Sequence, residues 1–351
     1  MEKILIILDS FEYKRKELEL KNILSDFCEP VFFYSKYENK LTEIFQKTKL
    51  IGSSLTHITY WLMSLWYAIQ LYFKSGIKNV VFINPIVGIF FAGISRLFFS
   101  NKKITIAGFL FEDKSSKLYL SIRKAFVNFC YCNVSKIIVY GDAEVQQYSD
   151  YFPKLKEKFI FVQYGRDYFY KDKQPFVHSK KYIASGGRSN RCYQTLCQAL
   201  EYTDSLKDFD CLVATRPECV STEMESSKVS FVYGITLNQF GSFIEGSRLF
   251  ILPLLDTTLS AGHMAMMEAM SVRKPILITD IPAIRNYVDD QCVFFYKPND
   301  AKDMASKIDY IINNIDSEEV RNRIEKSFHL YKNHYSFDAL LIRIIKASLA
   351  N

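Results

Sequence analysis

Glu268 is the residue whose position gives the clearest indication of chemistry in this chain. It lies in a run of small and apolar residues, 264–271, that predicts a helix, and a polar loop, 256–262, precedes that run. Backbone N–H groups and the dipole at a helix N-terminus attract anions such as phosphate. Glu268, one to two turns further on, would then accept hydrogen bonds from the hydroxyl groups of the same ligand. This combination indicates a site for a nucleotide sugar.

A second candidate for phosphate binding follows the predicted strand 181–187. Gly186 and Gly187 allow phosphates to approach the backbone, and Arg188 and Arg191 carry guanidinium groups that suit phosphate oxygens. The alternative is a tight turn with solvated arginines, but the neighbouring Glu268 loop favours the phosphate interpretation. Arg188 is also a candidate catalytic residue, because a positive charge stabilises a leaving diphosphate.

Other residues complete the predicted donor site. The loop before Glu268 contains small or polar residues that leave room for a diphosphate and a sugar: Ser260, Ala261, Gly262 and His263. His263 would bond the sugar or a phosphate, or only cap the helix. Arg216 ends the next predicted strand and would reach the site or remain solvated. Tyr233 ends a third strand and would stack on a base or belong to the core.

Two acids in the first half are candidates for a general base. Glu112 and Asp113 follow the predicted strand 104–111, and the carboxyl ends of such strands face the ligand cleft of doubly wound sheets. One of them would accept a proton from an acceptor hydroxyl, or both would only begin a charged loop. The sequence has no G-x-S-x-G motif and no Walker loop, and no Asp-x-Asp motif follows a strand. We therefore predict a nucleotide-sugar substrate without a metal or other cofactor.

Continuous apolar runs predict the strands that position these residues. Such runs are typical of parallel strands that are covered on both faces. They occur at 3–9, 80–86, 104–111, 136–142 and 158–165, and again at 181–187, 209–215, 229–234, 249–254, 275–279 and 292–296. Helices fit between them, so we predict an α/β fold of two Rossmann-like, doubly wound domains facing a cleft. The predicted parts are an acceptor-binding domain, 1–165, a linker, 166–179, a nucleotide-sugar domain, 180–325, and a C-terminal helix, 326–351, crossing back.

The second half resembles GT-B fold glycosyltransferases of the large group with two donor-site glutamates eight residues apart. In that group the second glutamate is followed by Ala-Met and a Lys-Pro strand, which Glu268-Ala269-Met270 and Lys274-Pro275 match. The first glutamate corresponds to Ser260. The resemblance implies that Glu268 bonds the ribose hydroxyls. It also implies that Arg188 meets the diphosphate, with Arg191 standing for the family's lysine.

Charge and aromatic content predict where the acceptor binds. Residues 1–175 carry 25 Lys and Arg against 17 Asp and Glu, whereas residues 176–351 carry 20 against 21. Residues 50–73 have no formal charge and several aromatic side chains, which is compatible with a buried, an interfacial or a membrane-spanning helix. A basic, aromatic first half suits an anionic membrane surface or an anionic acceptor, although ordinary charge variation is the alternative. No nucleic-acid-binding motif occurs.

These observations predict a metal-independent, hexosyltransferase-like enzyme for surface polysaccharide assembly. It would act on a glycan or lipid-linked acceptor, in the cytoplasm or at the cytoplasmic face of the inner membrane as a peripheral protein. Eight cysteines without metal spacing, and no signal peptide, favour reduced thiols in the cytoplasm. Two alternatives remain. An epimerase on the same fold would need converging acids and histidines. A catalytically silent partner subunit is favoured by Ser260 in place of the first glutamate.

Overall fold

The computed structural model describes residues 1–8, 11–37, 52–111, 116–168, 173–225, 228–257 and 259–350. They form two compact units. The first unit comprises Met1–Val162 with Leu341–Asn351, and the second comprises Gln163–Leu340.

The first unit contains a six-stranded parallel sheet. Its strands are β1 (Lys3–Leu8), β2 (Glu29–Tyr34), β3 (Asn79–Phe82), β4 (Lys103–Ala107), β5 (Lys136–Val139) and β6 (Phe159–Phe161), in the order β2-β1-β3-β4-β5-β6. Residues 4–8 of β1 and all of β3 are buried, as strands covered by helices on both faces require. β2 lies at an edge, which accommodates Pro30 because an edge strand can dispense with one N–H donor.

Helices connect these strands. They are α1 (Glu17–Leu24), α2 (Gly52–Lys74), α3 (Pro85–Leu97), α4 (Lys117–Tyr131) and α5 (Asp142–Tyr151). The predicted strand 80–86 was too long, because the Asn84 side chain accepts hydrogen bonds from the N–H groups of Ile86 and Val87 and so begins α3. Ser116 caps α4 in the same way through the N–H of Tyr119. In the described part of the chain, no helix is both long and apolar enough to cross a membrane.

The second unit contains another six-stranded parallel sheet. Its strands are β7 (Lys181–Gly186), β8 (Phe209–Ala214), β9 (Val229–Val232), β10 (Phe250–Leu252), β11 (Ile276–Thr279) and β12 (Phe294–Tyr296), in the order β12-β11-β10-β7-β8-β9. This is the doubly wound order, and the chain reverses its direction across the sheet between β7 and β10. The predicted α/β class and the two parallel sheets are therefore confirmed.

Helices also flank the second sheet. They are α6 (Tyr193–Ala199), α7 (Thr222–Glu225), α8 (Leu237–Glu245), α9 (His263–Ser271), α10 (Pro282–Arg285), α11 (Ala301–Asn313) and α12 (Glu318–His334). The last helix, α13 (Phe337–Leu349), begins in the second unit, and its residues from Leu341 onward belong to the first. One apolar cluster includes Leu196 of α6, Ile251 of β10 and Ile308 of α11, all fully buried. These elements hold the carboxyl ends of β7 and β10 in place.

Candidate functional site

The two loops predicted to bind phosphate lie side by side at the reversal point of the second sheet. β7 and β10 are hydrogen-bonded neighbours, and the loops that follow them are joined by three further contacts. Arg191 and Leu254 form an isolated bridge, the N–H of Leu255 donates to the Asn190 carbonyl at 3.1 Å, and the N–H of Cys192 donates to the Pro253 carbonyl at 2.8 Å. Ligands of doubly wound sheets bind at such a reversal point.

Both glycines of the first loop have a structural requirement. A Cβ atom on Gly186 would lie 2.6 Å from the ring of Phe240, so a larger residue would clash there. Gly187 has a φ of +125°, which residues with a side chain rarely adopt. Its carbonyl accepts hydrogen bonds from the hydroxyls of Tyr193 and Thr215, each at 2.8 Å. Hydrogen bonds to its backbone therefore hold the loop in one conformation.

The two arginines of this loop have different surroundings. Arg191 Nε donates to the Gly186 carbonyl at 3.1 Å, and its Nη1 donates to the Ser189 carbonyl at 2.7 Å. Burial lowers the pKa of this guanidinium. Arg188 is exposed, and its carbonyl accepts a weak hydrogen bond from Cys219 Sγ. Arg191 thus maintains the shape of the loop, whereas the Arg188 side chain extends from it.

The second loop leads into α9 through a left-handed residue. Gly262 has a φ of +80°, and a Cβ atom there would lie 3.0 Å from Leu254 Cδ2. The Gly262 carbonyl accepts the first helical hydrogen bond, from the N–H of Met266 at 2.9 Å. Ala261 is buried and Ser260 is half-buried beside it. The conformation therefore brings small residues and the N-terminus of α9 to the same place.

His263 is buried at the first position of α9. Its Nε2 lies 3.1 Å from the Ala283 carbonyl, and its ring centroid lies 4.1 Å from that of Tyr287. Burial lowers the pKa of this imidazole to about 4, so the ring is neutral and Nε2–H donates to the carbonyl. These contacts fasten α9 to α10. The His263 ring therefore has a packing role. The sequence did not indicate its contacts with Ala283 and Tyr287.

Glu268 is buried on α9, with 5% of its surface exposed. Burial raises the pKa of the carboxyl to about 8, and the positive charge of Arg166 opposes this increase. A buried carboxyl is costly unless it is neutral or bonded to donors. Ribose hydroxyls could supply such donors to the ionised form. A carboxyl whose pKa is strongly shifted is a candidate for a functional group.

Three residues beside Glu268 were not predicted as part of the site. The Tyr168 hydroxyl donates to the Met264 carbonyl in the first turn of α9. The N–H of Arg166 donates to the Tyr335 carbonyl at 2.8 Å, and the Tyr331 hydroxyl donates to the Arg166 carbonyl at 3.1 Å. Burial raises the pKa of both Tyr168 and Tyr331, and the charge of Glu268 contributes to this increase. Arg166, Tyr168 and Tyr331 therefore belong to the surroundings of Glu268.

The remaining predicted residues lie at other strand ends. Arg216 follows β8, is exposed, and has its Nη1 3.7 Å from a carboxylate oxygen of Glu218. Tyr233 follows β9 and is 45% exposed, so it does not belong to the core. Glu112 and Asp113 lie outside the described residues. Within the described ranges, no group of three or more His, Cys, Asp or Glu side chains could hold a metal ion.

Comparisons with known proteins point to the same half of the chain. Residues 185–314 match the family model described as glycosyl transferases group 1. No curated protein sequence matches the chain.

Solved structures resemble the whole chain. A glycosyltransferase from Rickettsia africae ESF-5 has a TM-score of 0.61 at 15% identity, covering 100% of this chain and 99% of that one. HepE from Anabaena in complex with UDP and glucose has a TM-score of 0.62 at 12% identity, covering 99% and 100%. The lipopolysaccharide outer core galactosyltransferase WaaB has a TM-score of 0.56 at 12% identity, again covering 99% and 100%. These similarities, with the two parallel sheets, confirm the predicted GT-B fold class.

Proposed function

We propose that this protein is a glycosyltransferase that takes a sugar from a nucleotide diphosphate donor, such as a UDP- or GDP-sugar. The observation that carries the proposal is the junction of the β7 and β10 loops beside the N-terminus of α9, with Glu268 buried in the same helix. The match of residues 185–314 to glycosyl transferases group 1 and the UDP complex of HepE support this reading.

Each part of this junction has a proposed role. The N-terminus of α9 and the Arg188 guanidinium bind the diphosphate, and the small residues Ser260 and Ala261 leave space for the sugar. Glu268 accepts hydrogen bonds from the ribose, and Tyr233 stacks on the base. Arg188 and the helix terminus stabilise charge on the diphosphate as it leaves, so catalysis does not require a metal. Glu112 or Asp113 serves as the general base toward the acceptor.

The acceptor is proposed to be a glycan or a lipid-linked glycan of a cell-surface polysaccharide. The basic first half suits an anionic acceptor or membrane surface, and WaaB, a similar structure, is a lipopolysaccharide outer core galactosyltransferase. We place the protein in the cytoplasm, in peripheral contact with the inner membrane through its first unit.

Nucleotide binding and sugar release test this proposal. We expect UDP or GDP to raise the thermal unfolding temperature of the full chain, since a ligand at 100 times its dissociation constant adds about 2.7 kcal/mol of stability. We also expect a radiolabelled sugar to be released from, or transferred by, the matching nucleotide sugar. If no nucleotide stabilises the protein, the donor site is wrong.

One observation favours a second function. Ser260 stands where the resembled family has its first glutamate, as in a partner subunit that keeps the fold without catalysis. Nucleotide binding without any hydrolysis or transfer, over a panel of UDP- and GDP-sugars, would support that function instead.

A further inference from the structure

Helix α2 carries two apolar faces, and only one of them is covered within its unit. Ser64, Ala68 and Leu71 are buried, as expected for the face that packs on the unit. Five large apolar residues of α2 remain exposed, namely Ile58 at 56%, Trp61 at 47%, Leu62 at 62%, Trp66 at 59% and Phe73 at 66%. Leu62, Trp66 and Phe73, spaced by four and seven residues, lie along one stripe of the helix, and Ile58 and Trp61 lie to one side of that stripe.

A second exposed apolar stripe lies on α4, and an aromatic row joins the two helices. The exposed large apolar residues of α4 are Leu118, Tyr119, Ile122, Phe126 and Phe129. The ring of Phe90 on α3 lies 5.5 Å from Trp61 and 6.5 Å from Phe126, measured between centroids. We call this surface, formed by the exposed residues of α2 and α4 with Phe90 between them, the aromatic face. Apolar patches that continue over several elements mark interaction sites.

The helices that form the aromatic face carry charge of one sign only. Helices α2, α3 and α4 contain no Asp or Glu. Over residues 51–141 there are ten Lys and Arg but only two acids, Glu112 and Asp113. Lys74 and Lys117 are exposed at helix ends next to the apolar stripes. An aromatic surface on helices whose only charged side chains are basic complements an anionic partner.

Phe99 is the residue that the fold explains least. It follows α3 with a φ of +49°, a conformation that favours glycine at the end of a helix. Its side chain is 92% exposed, and its neighbour Phe98 lies 5.8 Å from Phe73 of the aromatic face. Neither backbone preference nor burial favours phenylalanine here. A partner that accepts an exposed ring would supply a reason for it.

We propose that the aromatic face, with Phe99, docks on an anionic lipid bilayer. Trp and Phe side chains enter the interface between headgroups and acyl chains, and basic side chains lie at the headgroups, as in other interfacial helices. Lys102 is an exception among the nearby lysines. Its Nζ donates to the carbonyls of Ser75 and Ile77, each at 2.9 Å, so it holds the end of α2 in place.

Sedimentation with vesicles tests this docking surface on the full chain without nucleotide or acceptor. The vesicles are phosphatidylcholine alone, or phosphatidylcholine with phosphatidylglycerol. We expect the wild type to sediment with the anionic vesicles and to be released as the salt concentration rises. Phe99→Gly should bind about tenfold more weakly because one aromatic ring is lost. Its unfolding temperature should equal or exceed that of the wild type, because glycine suits the left-handed backbone.

Two further variants complete the design. Trp61→Ser with Trp66→Ser should abolish vesicle binding. Val177→Ser, which removes an exposed apolar residue from the second unit, should leave vesicle binding unchanged. Wild-type protein that stays in the supernatant overturns the proposal, as does binding that both aromatic variants retain. A dimer in light scattering that the aromatic variants dissociate would assign the face to a second copy and also overturn it. These outcomes decide the membrane contact named in the proposed function, whereas nucleotide binding and sugar release test the sugar transfer separately.

Discussion

Replacing Glu268 by glutamine tests whether this acid serves the fold or a ligand. Burial raises its pKa from 4.5 to about 8 in the folded protein. In the unfolded chain the pKa returns to its ordinary value. Between these two values the folded state keeps a proton that the unfolded state has released. Stability falls with rising pH wherever the folded state binds more protons. The wild type should therefore lose stability from about pH 4.5 to about pH 8.

The magnitude follows from the two pKa values. The linkage relation gives a cost of about 1 kcal/mol at pH 5 and about 4 kcal/mol at pH 8 for keeping an ionisable group at this position. Glutamine has nearly the same shape and no charge. We expect Glu268→Gln to exceed the wild type in free energy of unfolding by these amounts. Urea denaturation of both proteins at pH 5, 6.5 and 8 measures the difference.

Nucleotide binding should change in the opposite direction. Ribose hydroxyls donate most favourably to the ionised carboxylate, so binding draws a proton from Glu268 below pH 8. A pKa of about 8 predicts that wild-type affinity for UDP or GDP falls roughly a hundredfold from pH 9 to pH 6. Glu268→Gln lacks this titration. The ratio of wild-type affinity to variant affinity at each pH, measured by calorimetry, therefore cancels the pH dependence that comes from the nucleotide itself.

Two results would refute this reasoning. Equal stability of wild type and Glu268→Gln at pH 8 would show that the carboxyl is not desolvated. Equal affinity for the nucleotide at pH 8 would show that Glu268 does not contact the ribose. Arg166→Gln is the matched control for the charge beside it. Losing that positive charge should raise the Glu268 pKa further and so shift the binding profile to higher pH.

Three further predictions concern the loop after β7 and the end of α4. Arg188→Ala should lower turnover by a factor of about a hundred to a thousand, as for other groups that stabilise a leaving charge. The unfolding temperature should change little because the side chain is exposed. Turnover at the wild-type level would remove Arg188 from the site. Arg191→Met should instead destabilise the protein by about 1 to 3 kcal/mol, since it leaves the Gly186 and Ser189 carbonyls without their donor; an unchanged urea midpoint would contradict this. Lys158→Met should be similarly destabilising, because Lys158 Nζ donates to the carbonyls of Tyr131, Cys132 and Val134 at the end of α4. Thermal unfolding measures the loss, and Lys156→Met, at an exposed neighbouring residue, is the control variant.

Most of the second sheet could be predicted from the sequence because its strands are buried on both faces. Each continuous apolar run there corresponds to one strand, and the small-residue run before Ser271 is a helix. The first unit was harder. Edge strand β2 contains Pro30 and is only partly buried, so its sequence does not resemble a central strand. The predicted strand 80–86 included the start of helix α3. The first turn of that helix is as apolar as a strand, and only the Asn84 cap separates the helix from β3.

The site could be predicted where its residues are close in sequence. Gly187 and Gly262 have positive φ angles at the ends of recognisable elements, and both loops meet at the reversal point. Arg166 and Tyr168 could not be found in this way. They lie in a stretch without periodicity, about a hundred residues before Glu268, and hydrogen bonds link them to residues 264, 331 and 335. Such contacts depend on the three-dimensional packing alone.

In this protein, a residue placed in an environment that is unfavourable for its type indicates function better than the residue type alone. Arg191 and His263 are chemically suited to a phosphate, yet backbone carbonyls of the protein accept their N–H groups. By contrast, Glu268 is a carboxyl in a desolvated position, and Phe99 is an exposed ring on a left-handed backbone. If every residue type suited its local backbone and burial, neither a desolvated carboxyl nor an exposed ring on a left-handed backbone would occur. Residues that do not suit their local structure are concentrated at functional sites. Removing either feature should therefore stabilise the free protein while weakening its interaction with nucleotide or lipid. A position required only for folding would show the opposite pattern.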